Sequence, residues 1–113
     1  MASKKLNNIF IKDAFSVAGP VERKGSIKNY DLEMDDYYYK EKTFEQAEIK
    51  MQRVVIDNVL QKNHLLNKDI DVLVSGDLSN QISVSCYAAS HYKIPFFGVY
   101  SACASFVESL IVA

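Results

Sequence analysis

Two short apolar runs, "IDVLVSG" from Ile70 and "PFFGVY" from Pro95, limit what this chain can fold into. Each has the length and the β-branched or aromatic content of a buried strand. The segment between them, Gln81 to about Tyr92, is long enough for one helix and carries Ile82, Val84, Cys86 and Ala89. A strand, a helix and a second strand in that order join parallel neighbours, because a crossover returns the chain to the rim from which the first strand started. The expectation is therefore a sheet with at least two parallel strands and crossover helices, an α/β class of fold.

The flanking segments fit that frame. Thr43-x-x-Gln46 has the form of a capping box, and Phe44, Ala47, Met51, Val54, Val55 and Val59 recur at helical spacing, so a helix is predicted from Thr43 until it fades near Lys62 to His64. A further helix is predicted from Ala104 to Val112. Upstream, Ile9 to Ile11 and Ala14 to Val17 suggest one bent strand or two short ones, ended by the turn signal Gly19-Pro20. Pro20 to Lys42 has no sustained period and is expected to be a long loop, with Leu32, Met34 and the tyrosines Tyr37, Tyr38 and Tyr39 available to dock on a partner surface.

Composition removes several functions. The 113 residues hold 13 basic and 14 acidic side chains, a net charge of -1, so no whole-chain field exists to attract nucleic acid or anionic lipid. The opening "MASKKLNNIFIK" lacks an apolar core and a cleavage site, and secretion is not expected. Cys86 and Cys103 stand 17 residues apart, which suits neither a disulfide framework nor a zinc site, and both are expected as free thiols. The acidic "DLEMDD" has no metal-site spacing, so no metal is assigned; Arg23, Lys24 and Lys28 are read as an exposed basic loop.

Two places carry chemistry. Cys103 lies between small residues, Ser101 and Ser105, where a strand turns into a helix; such a turn lifts one side chain above the sheet edge. The helix start that follows aims N–H groups and a positive dipole end at the sulfur and favours the thiolate. A cysteine of this kind is either a nucleophile or a small buried hydrophobe. The second place is "GDLSNQ", where Asp77, Ser79, Asn80 and Gln81 follow a strand and so share the carboxyl rim with Cys103, the rim at which open α/β sheets bind ligands. These residues either cap a helix, through Ser79 or Asn80 with Asp77 adding its charge, or face a ligand. His64 and His91 follow helices and are expected on the opposite rim, too far to act as a base for Cys103.

The segments "SVAGPVERKGS", "KNHLLNKDIDVLVSGDLSNQ" and "HYKIPFFGVYSACASFVES", in this order and spacing, resemble the stage V sporulation protein AD family of spore-forming bacteria, within the thiolase-like superfamily. The resemblance implies a thiolase-like fold and puts Cys103 at the position of the thiolase-type nucleophilic cysteine. It also implies a job other than thiolysis: binding dipicolinic acid, free or as its calcium chelate, and moving it into the developing spore with other stage V proteins of the same operon. No cofactor is implied. The ligand-facing set on this view is Cys103, Ser105, Asp77, Ser79, Asn80 and Gln81. The implied location is the forespore or spore, peripheral at the inner spore membrane through partners, and otherwise the cytoplasm; the implied full-length assembly is a homodimer.

Residues 1–113 match only the opening part of such a fold, the N-terminal part of its first half. The apolar finish "FVESLIVA", without a glycine cap or a basic last turn, is expected to be a helix cut short and left with an uncovered apolar face. Phe106 departs from the family, which tends to have a small polar residue there. The alternative function is a thiolase-superfamily acyl transferase with Cys103 as nucleophile and its base supplied from elsewhere.

Overall fold

The computed structural model describes Ser3 and residues 5–113. Its longest element is helix α1, Phe44–Lys62. Thr43 starts it in extended conformation, and its hydroxyl accepts the Gln46 backbone N–H at 3.2 Å. The Gln46 side chain reaches back one residue further than a standard capping box requires and accepts from the Lys42 N–H at 3.3 Å. At the other end Asp13 accepts from Lys62 at 2.7 Å and from Asn63 at 2.9 Å, which ties the N-terminal segment to the end of the helix. The hydrogen bond from Lys62 does most to hold the Asp13 carboxyl below its ordinary range.

Strand β3, Leu73–Ser75, pairs in parallel with strand β4, Phe96–Gly98, in the register Leu73 to Phe96, Val74 to Phe97 and Ser75 to Gly98. Helix α2, Ser83–Ala89, is the crossover between them and packs on α1. The contact between the helices is made of small groups: Ala47 on α1 and Val84, Ser85, Ala88 and Ala89 on α2 are all buried. Small side chains let two helices approach closely, and the buried polar Ser85 is met by the Gln52 amide at 3.1 Å. Tyr92, 3% exposed, closes this layer; its hydroxyl donates to Asp57 at 2.8 Å and also lies 3.0 Å from the Arg53 carbonyl. Burial first, and then the bond to Asp57, push its ionisation above the ordinary tyrosine range.

The expected long loop between Pro20 and Lys42 contributes one strand of a second parallel pair, whose other strand lies just before the loop. Strand β1, Val17–Ala18, pairs with strand β2, Leu32–Glu33. A two-residue strand leaves no period to read, so β2 was invisible in the sequence. A local clasp sets the pairing: the Asp31 carboxylate accepts the Ser16 backbone N–H at 2.7 Å and its hydroxyl at 2.8 Å, while the Asp31 N–H points at the Ser16 hydroxyl oxygen at 3.1 Å. The bonds from Ser16 hold the Asp31 carboxyl below its ordinary range. Met34, beyond β2, is buried within the chain at 4% exposure, whereas Tyr37 and Tyr38 stay exposed. Upstream of β1, by contrast, Ile9, Phe10 and Ile11 form no strand and remain exposed.

Helix α3, Ser105–Val112, packs against β3 and presents Phe106, Val107, Leu110 and Ile111 to solvent. The uncovered apolar face expected from the sequence is present. The fold is thus α/β, built of short parallel strand pairs with helices between them, and β4 is more open than its composition suggests. Phe97 is half exposed because, among the described residues, β4 pairs with β3 alone.

Candidate functional site

The carboxyl ends of β3 and β4 place two loops side by side. The loop after β3 begins at Gly76, which exists there because the next strand leaves no room: a Cβ on it would lie 2.4 Å from the Val99 carbonyl oxygen. Asp77 follows, 5% exposed. Its carboxylate accepts the Ser79 N–H at 2.7 Å and, through the other oxygen, the Ser85 N–H at 2.7 Å. Burial raises its ionisation, but the hydrogen bonds from Ser85 and Ser79 outweigh burial and bring the carboxyl below its ordinary range. The cap of α2 is therefore Asp77, which satisfies an N–H in the first turn from six residues before the helix, and not Ser79 or Asn80.

Helix α2 was expected to begin at Gln81 and begins at Ser83 instead. Asn80–Ile82 form a single 3-10 turn in which Gln81 has φ 56° and Ile82 φ 48°. For a β-branched residue a left-handed backbone is sterically costly and persists only where neighbours enforce it. Here the Ile82 Cδ1 lies 2.2 Å from where a Cβ on Gly98 would stand, so the absence of a side chain on β4 is what lets Ile82 lie over the strand. The turn directs Asn80 and Gln81 outward; both side chains are exposed and make no hydrogen bond to the described residues. Ser79 is half-buried.

The loop after β4 carries Cys103. It lies in a 3-10 turn, Ala102–Ala104, between β4 and α3, and its thiol is exposed and unpaired with Cys86. Ala102, just before it, has φ 47°, a third left-handed residue without glycine on the same rim after Gln81 and Ile82. The Ser105 hydroxyl is engaged within this turn: it donates to the Ala102 carbonyl at 2.9 Å and accepts the Ser101 N–H at 3.1 Å. Ser101 in turn donates its hydroxyl to the Glu108 carboxylate. A groove of about 450 Å³ runs from this turn between β3 and α3, walled by Val72, Val74, Gly76, Ser105, Phe106 and Leu110 among others. Ser105 and Phe106 reach it; Asp77, Ser79, Asn80 and Gln81 do not form its walls.

His64 lies on the segment entering β3 and His91 on the segment entering β4. Because the strands are parallel, both histidines belong to the amino rim and Cys103 to the carboxyl rim. The acid beside the Cys103 turn, Glu108, carries no signal that sequence reading used; it stands at Cys103 + 5 inside an apolar helix, and its role becomes visible only when the Ser101 hydroxyl is found against it. Among the described residues no three His, Cys, Asp or Glu side chains gather as metal ligands, and no helix is long and apolar enough to cross a membrane.

The family model described as stage V sporulation protein AD matches residues 2–113. The stage V sporulation protein AD of Bacillus subtilis (strain 168) is 38% identical over 106 residues, which is 93% of this chain and 31% of that relative. The chain thus spans about a third of the length of the curated relative it matches.

Proposed function

The chain belongs to the stage V sporulation protein AD family, and we propose that it contributes one rim of a binding site for dipicolinic acid, free or as its calcium complex, that serves uptake of this compound into the developing spore. The match over residues 2–113 carries this reading. It is supported by the chemistry of the rim: the exposed amides of Asn80 and Gln81 are held outward by a strained turn, and amide donors suit carboxylate oxygens. Asp77 and Ser105, whose polar atoms are already committed to backbone groups, shape the rim and do not donate to the ligand. Cys103 flanks the site as an exposed thiol.

On this reading the protein is not an enzyme. Its partners are the other stage V proteins of the operon, its full-length form is a homodimer, and it sits peripherally at the inner spore membrane. A second reading, acyl transfer through Cys103, is favoured by the exposure of that thiol at the start of α3. It requires a base, and both histidines of the chain lie on the opposite rim. The test is calorimetric titration of dipicolinate into the protein extended to the length of its B. subtilis relative. Asn80→Ala with Gln81→Ala should weaken binding about tenfold or more, the loss of two hydrogen bonds to a charged group. Unchanged affinity would remove these amides from the site.

A further inference from the structure

Ala102 holds a left-handed backbone that is sterically costly for an L-residue, so something must enforce it. The loop offers one device. The Ser101 hydroxyl donates to the half-buried Glu108, the Ser101 N–H donates to the Ser105 hydroxyl, and that hydroxyl donates to the Ala102 carbonyl. These bonds span the left-handed residue from both sides and fasten the turn to the first two turns of α3. A fourth, from the Ser109 hydroxyl to the Ser105 carbonyl at 2.8 Å, secures the same stretch of helix.

We propose that Glu108 is a positioning residue: through Ser101 it locks the Ala102 turn and so fixes where Cys103 stands at the start of α3. The inference rests on the reading of this turn as part of the functional rim, and it gives Glu108 a task no sequence motif announced. A carboxylate is suited to the task because a hydrogen bond accepted by an ionised group is stronger than a neutral one. Its place as the one charged residue of α3, between Val107 and Ser109, follows from the need to meet Ser101 one strand-to-helix turn away.

The chain supplies its own control. Cys86 is also exposed but sits on α2, after the other loop, so its alkylation reports general opening of the fold while that of Cys103 reports the turn. Rates of iodoacetamide labelling at the two cysteines, separated by peptide mass spectrometry, are the measurement. Glu108→Ala should lower the Cys103 rate about five- to tenfold, the loss of one charge-assisted hydrogen bond, with Cys86 unchanged. Ser101→Ala should do the same, and the double variant should be no slower than either single one. Glu108→Gln, which keeps an acceptor oxygen but not the charge, should restore part of the rate. Ala102→Gly, which adopts this backbone without steric strain, should blunt the effect of Glu108→Ala.

Equal Cys103 rates in the unaltered chain and Glu108→Ala would overturn the proposal. So would equal changes in the alanine and glutamine variants, which would show that charge alone matters. If Cys86 accelerates in Glu108→Ala, Ser101→Ala, which removes only a hydroxyl, decides the outcome: an unchanged Cys103 rate there rejects the clasp. The assay reads the turn and not the ligand, so its failure leaves the binding titration to judge the proposed function separately.

Discussion

Replacing Gly76 by alanine is the most demanding test of how β3 and β4 deliver the two loops to one rim. The new Cβ would stand 2.4 Å from the Val99 carbonyl oxygen and 2.9 Å from its Cγ2. The first obstacle is backbone, which cannot swing aside as a side-chain end can. Relief requires the end of β3 to move away from the chain leaving β4, and the bond lying across that gap, Val99 N–H to the Ser75 carbonyl at 3.0 Å, is the one to stretch. Overpacking of this kind costs about 1–3 kcal/mol, and the weakened hydrogen bond adds about 1 kcal/mol. For a chain of 113 residues each kcal/mol lowers Tm by about 4 °C. Thermal unfolding followed by circular dichroism should therefore show a fall of roughly 8–16 °C, and Cys103, three positions beyond Tyr100, should change its alkylation rate with it. A variant within about 2 °C of the parent, with Cys103 labelling unaltered, would show that the close approach at Gly76 does not organise the rim.

Further outcomes follow from the acids around this rim. Asp77→Asn leaves one oxygen for two N–H groups, that of Ser85 buried and that of Ser79 half-buried, and should cost about 1–3 kcal/mol near neutral pH in urea denaturation. Because the folded carboxyl titrates below its ordinary range, the parent holds this stability above the unfolded value and loses it as pH falls through the folded one, so the two curves should converge in acid. Glu48 has the opposite sign: burial first, and then the neighbouring Asp77 charge, raise its ionisation. Folding is helped by its protonated form at low pH and that help is lost as pH rises through the folded value. Glu48→Gln should therefore raise the urea midpoint near pH 7 and leave it unchanged below about pH 4; an unchanged midpoint at both would show that Glu48 is not strained by its surroundings.

What the sequence made legible was what periodicity and capping chemistry encode. Thr43 with Gln46 located the start of α1, and the runs from Ile70 and Pro95 located the parallel pair with α2 as its crossover. The turn residues were another matter. Gln81, Ile82 and Ala102 adopt left-handed backbone although none is glycine, and only the packing of Ile82 over Gly98 and the bonds around Ser101 make those conformations tolerable. Local propensity therefore started α2 two residues early. It also gave the cap to Ser79 or Asn80, because a carboxylate six residues before the helix is outside any capping motif. Ser105 was legible as a small residue beside Cys103, yet its hydroxyl proved to be occupied within the turn. The face of α3 left open by this chain was legible from its composition alone.

On the proposed reading this chain builds one wall of a dipicolinate site. A pocket encloses most of the surface of a small ligand, so a single rim should bind weakly. Calorimetric titration of dipicolinate, with and without calcium, into residues 1–113 and into the form extended to the length of the B. subtilis relative measures this directly. The account predicts saturable binding by the extended form and little or none by residues 1–113. Equal binding by both would place the whole site within this chain, and no binding by the extended form would contradict the account and favour acyl transfer through Cys103.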